Sequence, residues 1–400
     1  MSPAAVWRHR GDCRLCGGAL ALVLDYGDVA LANDLRAPGQ AQARVPLHLC
    51  RCADCGLVQV PQVVDPAALF GDYRYATGHS RTMVAHLAGL AHSLARAHPG
   101  GRVLEVASND GTLLAALVAQ GLRPLGVEPA AGLAAEAAAR GLSTRVAFFD
   151  EEQARRLREE EGRFDLVVAT NVLAHVDDPV GLLRGAASLL GPGGQVVVEV
   201  PSLAAMLRAG AFDTVYHEHL CVFDHGSLLQ LFARAGLGLR RVEPVAVHGG
   251  SLRVFASPGP HDPRVVAAAR RRAPTTAPDR LAGFAARAHR VQQALPAHVA
   301  ALRARGQRVA AYGAAAKGAV LLQWCGLRDL PWVADANPRK QGLLLPGTDT
   351  PVVPPERVAQ ERPEVLLLLA WNLLDEVRAQ VRGTVGRLLL PLPGPRLLRP

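Results

Sequence analysis

Short apolar runs alternate with helical patterns across residues 101–256, and this alternation constrains the fold more than any other feature of the chain. The first run, Arg102–Val106, ends in a polar turn and is followed by the helical pattern Thr112–Gln120. The later runs are Leu125–Glu128, Ser143–Phe149, Phe164–Thr170 and Gln195–Val200. Strands that alternate with helices predict a parallel sheet that is covered on both faces.

The turn Ser108-Asn109-Asp110-Gly111 follows the first run, where an α/β sheet presents backbone N–H groups and a helix N-terminus to a ligand. It lacks the three-glycine spacing of a dinucleotide-binding turn, which favours S-adenosylmethionine over NAD. Glu128 ends the second run at the position of a ribose-binding carboxylate. We therefore predict a cofactor site formed by Glu105, Ser108, Asn109, Asp110, Gly111 and Glu128. The alternative is an ordinary strand–turn–helix connection.

Two later runs end in further candidates for this cleft. Phe149 follows the third run and is a candidate wall for an adenine ring, although paired phenylalanines are more often core residues. Asn171 ends the fourth run and His175 follows it. Because the carboxyl ends of parallel strands carry the sites of α/β sheets, we expect both side chains near that edge.

Composition limits the classes of partner. The chain has 400 residues, 50% hydrophobic content and a formal net charge of +9, which suits two or three domains. Lys317 and Lys340 are the only lysines, and the arginines are spread along the chain. Nucleic-acid sites need clustered charge, so we expect no nucleic-acid partner. Since no apolar run is long enough for a membrane span and the N-terminus lacks a signal-peptide pattern, we expect a soluble, cytoplasmic protein.

Four of the seven cysteines form two CxxC pairs, Cys13-Arg-Leu-Cys16 and Cys52-Ala-Asp-Cys55, each followed by glycine. Two such pairs supply four thiolates for one tetrahedral Zn²⁺, and a four-thiolate site leaves no open position for a substrate. The spacing therefore predicts a structural zinc site. A catalytic zinc and an unmetallated redox pair are the alternatives.

The segment Phe212–Leu220 carries the densest group of titratable side chains, Tyr216, His217, Glu218 and His219. Proton abstraction beside a carbonyl needs a base with a near-neutral pKa and a partner that orients it, and histidine with glutamate provides this pair. In an extended segment Tyr216 and Glu218 would share one side and the two histidines the other. Zinc binding by the histidines and a hydrogen-bonded surface loop are the alternatives.

Two other segments carry candidate site residues. Tyr73 and Tyr75 lie in a polar, aromatic linker and would share a face in an extended backbone, where they would line a cleft or pack at a domain junction. His248-Gly-Gly-Ser251 is predicted to be a glycine turn that leads into an edge strand.

The rest of the chain is predicted to form a helical link and a second nucleotide-fold domain. Residues 262–305 are rich in alanine and arginine, with helix breaks expected at Pro274, Pro278 and Pro296. From Arg308 a second strand–turn–helix begins, in which Gly313 and Lys317 are a candidate anion cradle. The alternative is a degenerate fold retained for its architecture.

Several motifs together resemble the three-domain S-adenosylmethionine-dependent sugar C-methyltransferases. They are the two cysteine knuckles, Glu105–Gly111, Asn171–His175, Phe212–His219, His248–Arg253 and Tyr312–Lys317. The resemblance extends from Cys13 to beyond Asn372, and its most specific part is the Tyr-His-Glu-His string in combination with the knuckles.

The resemblance implies an α/β fold with an N-terminal zinc-binding module, a central class I methyltransferase Rossmann-like sheet and a smaller C-terminal Rossmann-like domain. The boundaries that we expect are 1–80 for the zinc-binding module, 81–260 for the methyltransferase domain, 261–305 for the helical link and 306–400 for the C-terminal domain. We also expect a monomer or a weak dimer.

Members of this family typically methylate C3 of a 4-keto-6-deoxyhexose carried on dTDP, so the resemblance implies a nucleotide-sugar substrate. By the same resemblance His219 would remove the C3 proton, oriented by Tyr216 and Glu218, and the enolate would attack the sulfonium methyl group. The catalytic group so implied comprises Tyr73, Tyr75, His175, Tyr216, Glu218 and His219.

Two stretches depart from the family pattern and leave the identity of the sugar open. They are Cys221-Val-Phe-Asp224, after the histidine, and Ala76-Thr-Gly-His79, after the tyrosines. The alternative functions are a sugar O- or N-methyltransferase, a zinc-containing RNA methyltransferase and a non-catalytic scaffold.

Overall fold

A computed structural model describes residues 7–71, 73, 75–271 and 275–400, so Pro274 of the predicted link lies outside the described residues. The N-terminal elements are β1 (Trp7–His9), β2 (Leu20–Ala30), β3 (Arg44–Cys52), β4 (Val58–Gln59), β5 (Gln62–Val64), α1 (Pro66–Phe70) and α2 (Arg81–Ala97). The central elements are β6 (Arg102–Val106), α3 (Thr112–Ala119), β7 (Arg123–Glu128), α4 (Ala131–Ala139), β8 (Thr144–Val146), α5 (Glu151–Glu161), β9 (Phe164–Thr170), α6 (Pro179–Ser188), β10 (Leu190–Pro201), α7 (Leu203–Ala209), β11 (Cys221–Val222), α8 (His225–Arg234), β12 (Leu237–Val245) and β13 (Ser251–Pro258).

The C-terminal elements follow two helices that connect the domains. They are α9 (Pro263–Arg270), α10 (Pro278–Ala304), β14 (Val309–Tyr312), α11 (Ala316–Trp324), β15 (Val333–Ala334), β16 (Val352–Val353), α12 (Glu356–Glu361), β17 (Val365–Leu368), α13 (Leu374–Gln380), β18 (Arg387–Leu390) and β19 (Arg396–Leu398). Short 3₁₀ helices occur at Thr77–His79, Leu173–His175, Phe212–Thr214 and Trp371–Leu373. Among the helices of the described ranges, none is long and apolar enough to cross a membrane.

The central sheet has the strand order β12-β13-β10-β9-β6-β7-β8. Strands β6 to β10 pair in parallel, as the alternating pattern predicts, and place the carboxyl ends of β6, β7 and β9 at one edge. Strand β13 pairs antiparallel with both β10 and β12. The prediction of an edge strand after Gly250 is therefore wrong, because the unpredicted strand β12 covers β13.

The N-terminal sheet has the order β11-β4-β3-β2 and includes a strand from the central part of the chain. Cys221 of β11 lies opposite Gln59 of β4, and the N–H of Val60 donates to the carbonyl of Leu220 at 3.0 Å. The zinc-binding module therefore holds the segment that directly follows His219.

Helix α10 is a core element rather than a flexible link. Its buried face contributes Phe284, Leu295 and Val299 to a core shared with the N-terminal sheet and with the C-terminal domain. Pro296 lies inside this helix, so the predicted break there is wrong. An internal proline costs a helix about 3 kcal/mol, and burial of the flanking apolar side chains offsets this cost. Pro278 instead occupies the first turn, where proline is tolerated.

The C-terminal sheet has the order β16-β15-β14-β17-β18-β19, parallel except for the edge strand β19. The carboxyl ends of β14 and β17 lead into Gly313 and Ala370, which lie in contact. A Cβ atom on Gly313 would lie 2.7 Å from the Cβ of Ala370, so glycine permits the close approach of these two turns. This edge of the domain faces the central sheet.

Candidate active site

A cavity of about 1100 Å³ lies where the three parts of the chain meet. The zinc-binding module contributes Asn33, the central sheet contributes Ser108 and Glu128, and the C-terminal domain contributes Gly313 and Lys317. Further lining residues include Tyr73, Tyr75, Glu105, Asn109, Phe149, Asn171, His175, Tyr216 and His219. The cavity therefore brings together most of the residues that the sequence predicts for the cofactor and for catalysis.

Glu128 holds the turn after β6. Its Oε2 accepts from the N–H of Asn109 at 2.7 Å, and its Oε1 accepts from the N–H of Ala130 at 2.8 Å. Burial raises the pKa of this carboxyl, and the two backbone donors act in the opposite direction. Ala107 and Asn109 adopt positive φ angles of 54° and 52° within the same turn. The carboxylate thus stabilises an otherwise unfavourable backbone and keeps lone pairs for ribose hydroxyls.

Asn109 and Asp110 bind the linker that carries the tyrosines. The Oδ1 of Asn109 accepts from the N–H of Thr77 at 2.9 Å, and its Nδ2 donates to the carbonyl of Tyr75 at 3.0 Å. The Oδ2 of Asp110 accepts from the N–H of Gly78 at 2.7 Å. Both side chains are therefore committed to the protein, and through them the cofactor turn fixes the position of Tyr75.

Glu105 and Ser108 offer polar atoms that the described residues do not satisfy. Glu105 is 3% exposed and Ser108 is 2% exposed, and neither the Oε2 of Glu105 nor the Oγ of Ser108 has a partner within the described ranges. Burial raises the pKa of Glu105 well above its usual range, and the nearby Glu128 and Asp110 add to this effect. The ammonium and carboxylate groups of S-adenosylmethionine fit such orphaned atoms.

Phe149 and Asn171 complete this side of the cavity. Phe149 is half-buried, whereas its neighbour Phe148 is 46% exposed. Asn171 has a positive φ of 58°, and its N–H donates to the carbonyl of Glu199 at 2.9 Å. Strand β8 ends before the phenylalanines, so they belong to the loop that leads to α5, and Phe149 contacts the cavity beside Gly185.

A Glu128→Gln variant is expected to bind S-adenosylmethionine about 10- to 100-fold more weakly, because the amide NH₂ would face a backbone N–H and leave it without an acceptor. Calorimetric titration with the cofactor measures the effect. Glu160→Gln, on the exposed face of α5, is the matched control. Equal affinities for wild type and both variants would show that Glu128 does not organise the cofactor turn.

His219 is fixed by two hydrogen bonds on opposite sides of its ring. Its Nδ1 lies 2.6 Å from the carbonyl of Thr214, and its Nε2 lies 2.9 Å from the hydroxyl of Tyr216. A carbonyl only accepts, so Nδ1 carries the proton and Nε2 accepts from the tyrosine hydroxyl. Burial lowers the pKa of His219 to about 3, and the neighbouring His175 acts in the same direction. The imidazole is therefore neutral at physiological pH.

Aromatic rings surround His219. The His175 ring stacks on it with centroids 5.0 Å apart, and Phe70 stacks on the other side of His175 at 5.9 Å. The rings of Tyr73 and Tyr75 are 6.3 Å apart, and both line the cavity. The Nε2 of His175 is buried without a partner among the described residues. This wall excludes water from the base and leaves polar atoms to meet a substrate.

The Tyr216–His219 segment is a turn, so the predicted alternation of its side chains is wrong. The N–H of His219 donates to the carbonyl of Tyr216 at 2.8 Å, which brings these two side chains to the same side. The Nε2 of His217 bonds the carbonyl of Pro46 at 3.0 Å. Glu218 accepts from the Nδ2 of Asn33 at 2.6 Å rather than bonding His219. Burial raises the pKa of Glu218 to about 7.

The buried His217 is expected to make stability depend on pH. Burial lowers its pKa from 6.5 to about 4, so between these values the unfolded chain binds more protons than the folded chain. Its contribution to stability is present above pH 6.5 and is lost as the pH falls. Wild type should lose about 2 kcal/mol from this residue between pH 7 and pH 5, and His217→Gln should not.

Denaturant unfolding at the two pH values checks this expectation, with His92→Gln on the exposed face of α2 as the matched control. The same pH dependence for wild type and His217→Gln would show that folding does not shift the pKa of His217.

Asp213 and Trp371 belong to the site although the sequence did not single them out. The Nε1 of Trp371 donates to the Oδ2 of Asp213 at 2.7 Å, and the ammonium of Lys317 lies 5.0 Å from the centroid of the Trp371 indole. The Nζ of Lys317 donates to the Oδ1 of Asn372 at 2.7 Å. Position in the Phe212–His219 motif was the only sequence signal for Asp213, and Trp371 had none.

The four predicted zinc ligands form one cluster. The Sγ atoms of Cys13, Cys16, Cys52 and Cys55 all lie within 4.8 Å of one another, with contacts of 3.5 Å between Cys13 and Cys55 and 3.4 Å between Cys16 and Cys52. A tetrahedron with Zn–S bonds of about 2.3 Å has edges of about 3.8 Å. The geometry therefore fits a closed, structural Zn²⁺ site, and it lies away from the cavity.

Comparison with known proteins assigns each part of the chain to a family model. A putative zinc binding domain matches residues 13–70, a methyltransferase domain matches residues 80–242, and the C-terminal domain of C-methyltransferases matches residues 246–393. The C-methyltransferase NovU of Streptomyces niveus is 35% identical over 408 residues, which cover 97% of this chain and 96% of that protein.

Other similarities are confined to part of the chain. A ubiquinone biosynthesis O-methyltransferase of Xanthomonas campestris pv. campestris is 32% identical over 119 residues, which cover 28% of this chain and 50% of that protein. The solved structure of the PH0226 protein from Pyrococcus horikoshii covers 48% of this chain and 97% of its own, at 17% identity and a TM-score of 0.38. This last similarity supports no inference about activity.

The match to NovU extends over nearly the whole chain, and the three family models follow one another in the order that the resemblance implied. The four-cysteine cluster and the strand–turn–helix at the cavity agree with the zinc-binding and methyltransferase assignments. The chain belongs to the three-domain sugar C-methyltransferases, enzymes that use S-adenosylmethionine and a structural zinc ion.

Proposed function

We propose that this enzyme methylates a carbon next to the ketone of a nucleotide-linked keto-deoxysugar, C3 of a dTDP-4-keto-6-deoxyhexose, by base-catalysed enolisation. The observation that carries the proposal is the fixed tautomer of His219. Thr214 holds its protonated nitrogen, so Nε2 is the basic atom, beside Tyr216 in the cavity that also contains the cofactor turn.

A ketone acidifies the neighbouring C–H bond enough for an imidazole to remove the proton. The proton passes to the Nε2 of His219, and the electron pair of the C–H bond becomes the C=C bond of an enolate. S-adenosylmethionine, when bound, supplies the electrophilic methyl group that the enolate carbon takes up. The single lone pair of Nε2 accepts from the hydroxyl of Tyr216 in the free enzyme, so this hydroxyl leaves Nε2 when the substrate C–H takes its place.

Burial of His219 affects its protonation state before and after the proton transfer. The ring is neutral at physiological pH because burial keeps its pKa low, and the same low pKa makes it a weak base until a substrate is bound. The imidazolium that forms is disfavoured in the same surroundings, so it is stable only beside the negative charge of the enolate. The reaction therefore benefits from a dry cavity in which the acceptor, the base and the methyl donor are held together.

The size of the cavity supports a two-part acceptor. Pockets for one drug-sized ligand have volumes of about 300–1000 Å³, and the cavity of about 1100 Å³ reaches from the cofactor turn to the C-terminal domain. Room beyond the cofactor and a hexose suits an attached nucleotide. The N-terminus of α11, which follows Gly313 and Ala315 at this end, suits an anionic group.

Proton exchange in D₂O tests the proposal without methyl donor. The enzyme is incubated with a dTDP-4-keto-6-deoxyhexose, and deuterium at C3 is followed by mass spectrometry and NMR. We expect enzyme-dependent exchange at C3 and, after addition of S-adenosylmethionine, a product whose methyl group resists mild acid and leaves every hydroxyl free. A methylated product that forms without prior exchange, with one hydroxyl blocked, would instead establish O-methylation.

A further inference from the structure

Lys317 lies in the wall of the same cavity, which residues of the turn after β6 also line. It is one of only two lysines in the chain. Its ammonium is close enough to His219 and His248 to lower the pKa of both rings, and it lowers the pKa of Asp213 against the larger effect of burial. The ammonium of Lys317 and the ring of His219 therefore line one cavity, and no hydrogen bond joins them among the described residues.

One short 3₁₀ helix, Phe212–Thr214, positions both groups. The carbonyl of Thr214 accepts from His219, and the carboxylate of the preceding residue, Asp213, accepts from Trp371, over which Lys317 lies. His219 is thus bonded to Thr214, and Lys317 is linked to the preceding residue, Asp213, through the indole of Trp371. The 3₁₀ helix and the Trp371 side chain therefore set the separation of His219 and Lys317. A fixed separation is what two groups need if they act on adjacent atoms of one substrate.

Lys317 retains donors for a ligand. An ammonium group has three N–H donors, and the structure describes one hydrogen bond, to the Oδ1 of Asn372. Asp213 is fully buried, and its Oδ1 has no partner among the described residues. Burial lowers the pKa of Lys317, whereas the Asp213 carboxylate raises it and so favours the charged form.

Lys340, the second lysine, is engaged differently. Its Nζ donates to the carbonyl of Ala314 at 2.8 Å and lies 4.0 Å from the Oδ2 of Asp335. Lys340 lines the same cavity, but these contacts hold its ammonium between two turns of the C-terminal domain.

We propose that Lys317 is a catalytic residue that donates a hydrogen bond to the ketone oxygen of the acceptor and stabilises the enolate oxygen formed when His219 removes the adjacent proton. This inference rests on the proposed function. The proton moves from carbon to Nε2, the C–H electron pair forms the C=C bond, and the C=O electron pair moves onto the oxygen that faces the ammonium. Lys317 stays protonated throughout, and no bond to nitrogen forms.

The C-terminal domain would then take part in the chemistry as well as in substrate binding. A preorganised cation at a developing oxyanion in a dry site is among the strongest contributions to catalysis, because it needs no reorganisation at the moment of reaction. Without Lys317, the positive charge of the His219 imidazolium would form at the carbon that loses its proton and not at the oxygen that carries the negative charge.

The test measures C3 deuterium exchange at saturating acceptor for wild type, Lys317→Met, Lys317→Gln and the matched variant Lys340→Met. Calorimetry with S-adenosylmethionine and with dTDP measures the affinities of the same proteins and shows whether each is folded. We expect exchange to fall about 10²- to 10³-fold in both Lys317 variants, with cofactor and dTDP affinities within a factor of about three of wild type, and a much smaller change for Lys340→Met.

Wild-type exchange rates in a folded Lys317 variant would overturn the assignment, and so would equal losses in the Lys317 and Lys340 variants. A loss of dTDP affinity with normal exchange at saturation would make Lys317 a phosphate-binding residue instead. Covalent attachment of the sugar to Lys317 after borohydride treatment would show that this lysine forms an imine with the ketone. That result would overturn the proposed hydrogen bond. Absence of exchange in wild type would contradict the proposed function itself. Failure of the enolisation mechanism can therefore be distinguished from failure of the Lys317 assignment.

Discussion

A His219→Asn variant is expected to lose methyl transfer by a factor of about 10²–10⁴, the usual contribution of a general base. The amide can still donate to the carbonyl of Thr214, which accepts from Nδ1 in the native protein, but it provides no nitrogen that accepts a proton. Deuterium exchange at C3 should fall by the same factor, because enolisation precedes methyl transfer. The affinity for S-adenosylmethionine should be unchanged, since the cofactor turn lies on a different strand.

Tyr216→Phe is the matched control for this experiment. It removes the hydroxyl that contacts Nε2 at 2.9 Å and leaves the base in place. Loss of one such hydrogen bond costs about 1 kcal/mol, so exchange should fall only about 5- to 10-fold. Near wild-type exchange in His219→Asn would remove this residue from the mechanism, and His175, whose Nε2 has no partner among the described residues, would be the next base to examine.

A Cys13→Ser variant is expected to lose zinc and with it the fold of the N-terminal module. Binding of structural zinc contributes about 10–16 kcal/mol to small zinc domains, and a serine cannot replace the thiolate. The thermal unfolding transition of the module should move to lower temperature or disappear, as followed by circular dichroism, and elemental analysis should show less than one zinc ion per chain.

Methyl transfer should fall in the same variant although the cluster lies away from the cavity. Strand β4 follows the second knuckle and pairs with β11, which begins two residues after His219. Asn33 of the module also donates to Glu218. Loss of the module therefore releases the turn that carries the base. The dependence is structural, so cofactor affinity should change less than activity.

Cys50→Ser provides the matched control. Cys50 is buried in β3 and lies outside the metal cluster, so its substitution changes packing without removing a ligand. It should keep one zinc ion and most activity. A Cys13→Ser protein with a full complement of zinc and an unchanged unfolding transition would contradict the structural assignment of the site.

Local pattern was sufficient for the central sheet. Strands β6, β7 and β9 and helix α3 lie within two residues of their predicted limits, because a parallel strand that is buried on both faces needs a continuous apolar run. The zinc site was equally predictable, since the ligand type and spacing of two CxxC pairs are themselves the requirement for the metal.

Local pattern failed where a partner distant in sequence decides the conformation. Pro296 was expected to break a helix, but the packing of α10 in the shared core keeps that helix continuous. Likewise β13 was expected at an edge, and β12 covers it. In both cases tertiary contacts outweigh a local preference of a few kcal/mol.

In the turn Tyr216–His219, local pattern predicted the residue types that matter, but tertiary contacts decided their partners. Its composition indicated a base with a carboxylate partner, and extended geometry would have paired the side chains by alternation. In the structure the zinc-binding module holds both sides of the turn: Pro46 accepts from His217 and Asn33 donates to Glu218. His219 is left with Tyr216 and Thr214, a set of partners that spacing alone could not select.

The family, the zinc ligands and the alternation of the central sheet could be predicted from the chain, because each depends on residue type at short spacing. The partners of His219 could not be predicted in this way. Asp213 and Trp371, far apart in sequence, form a hydrogen bond across two domains, and Lys317 lies over the Trp371 indole. The physical reason is that a site between domains is set by the packing of separate sheets, and long-range packing leaves no periodic mark on the chain.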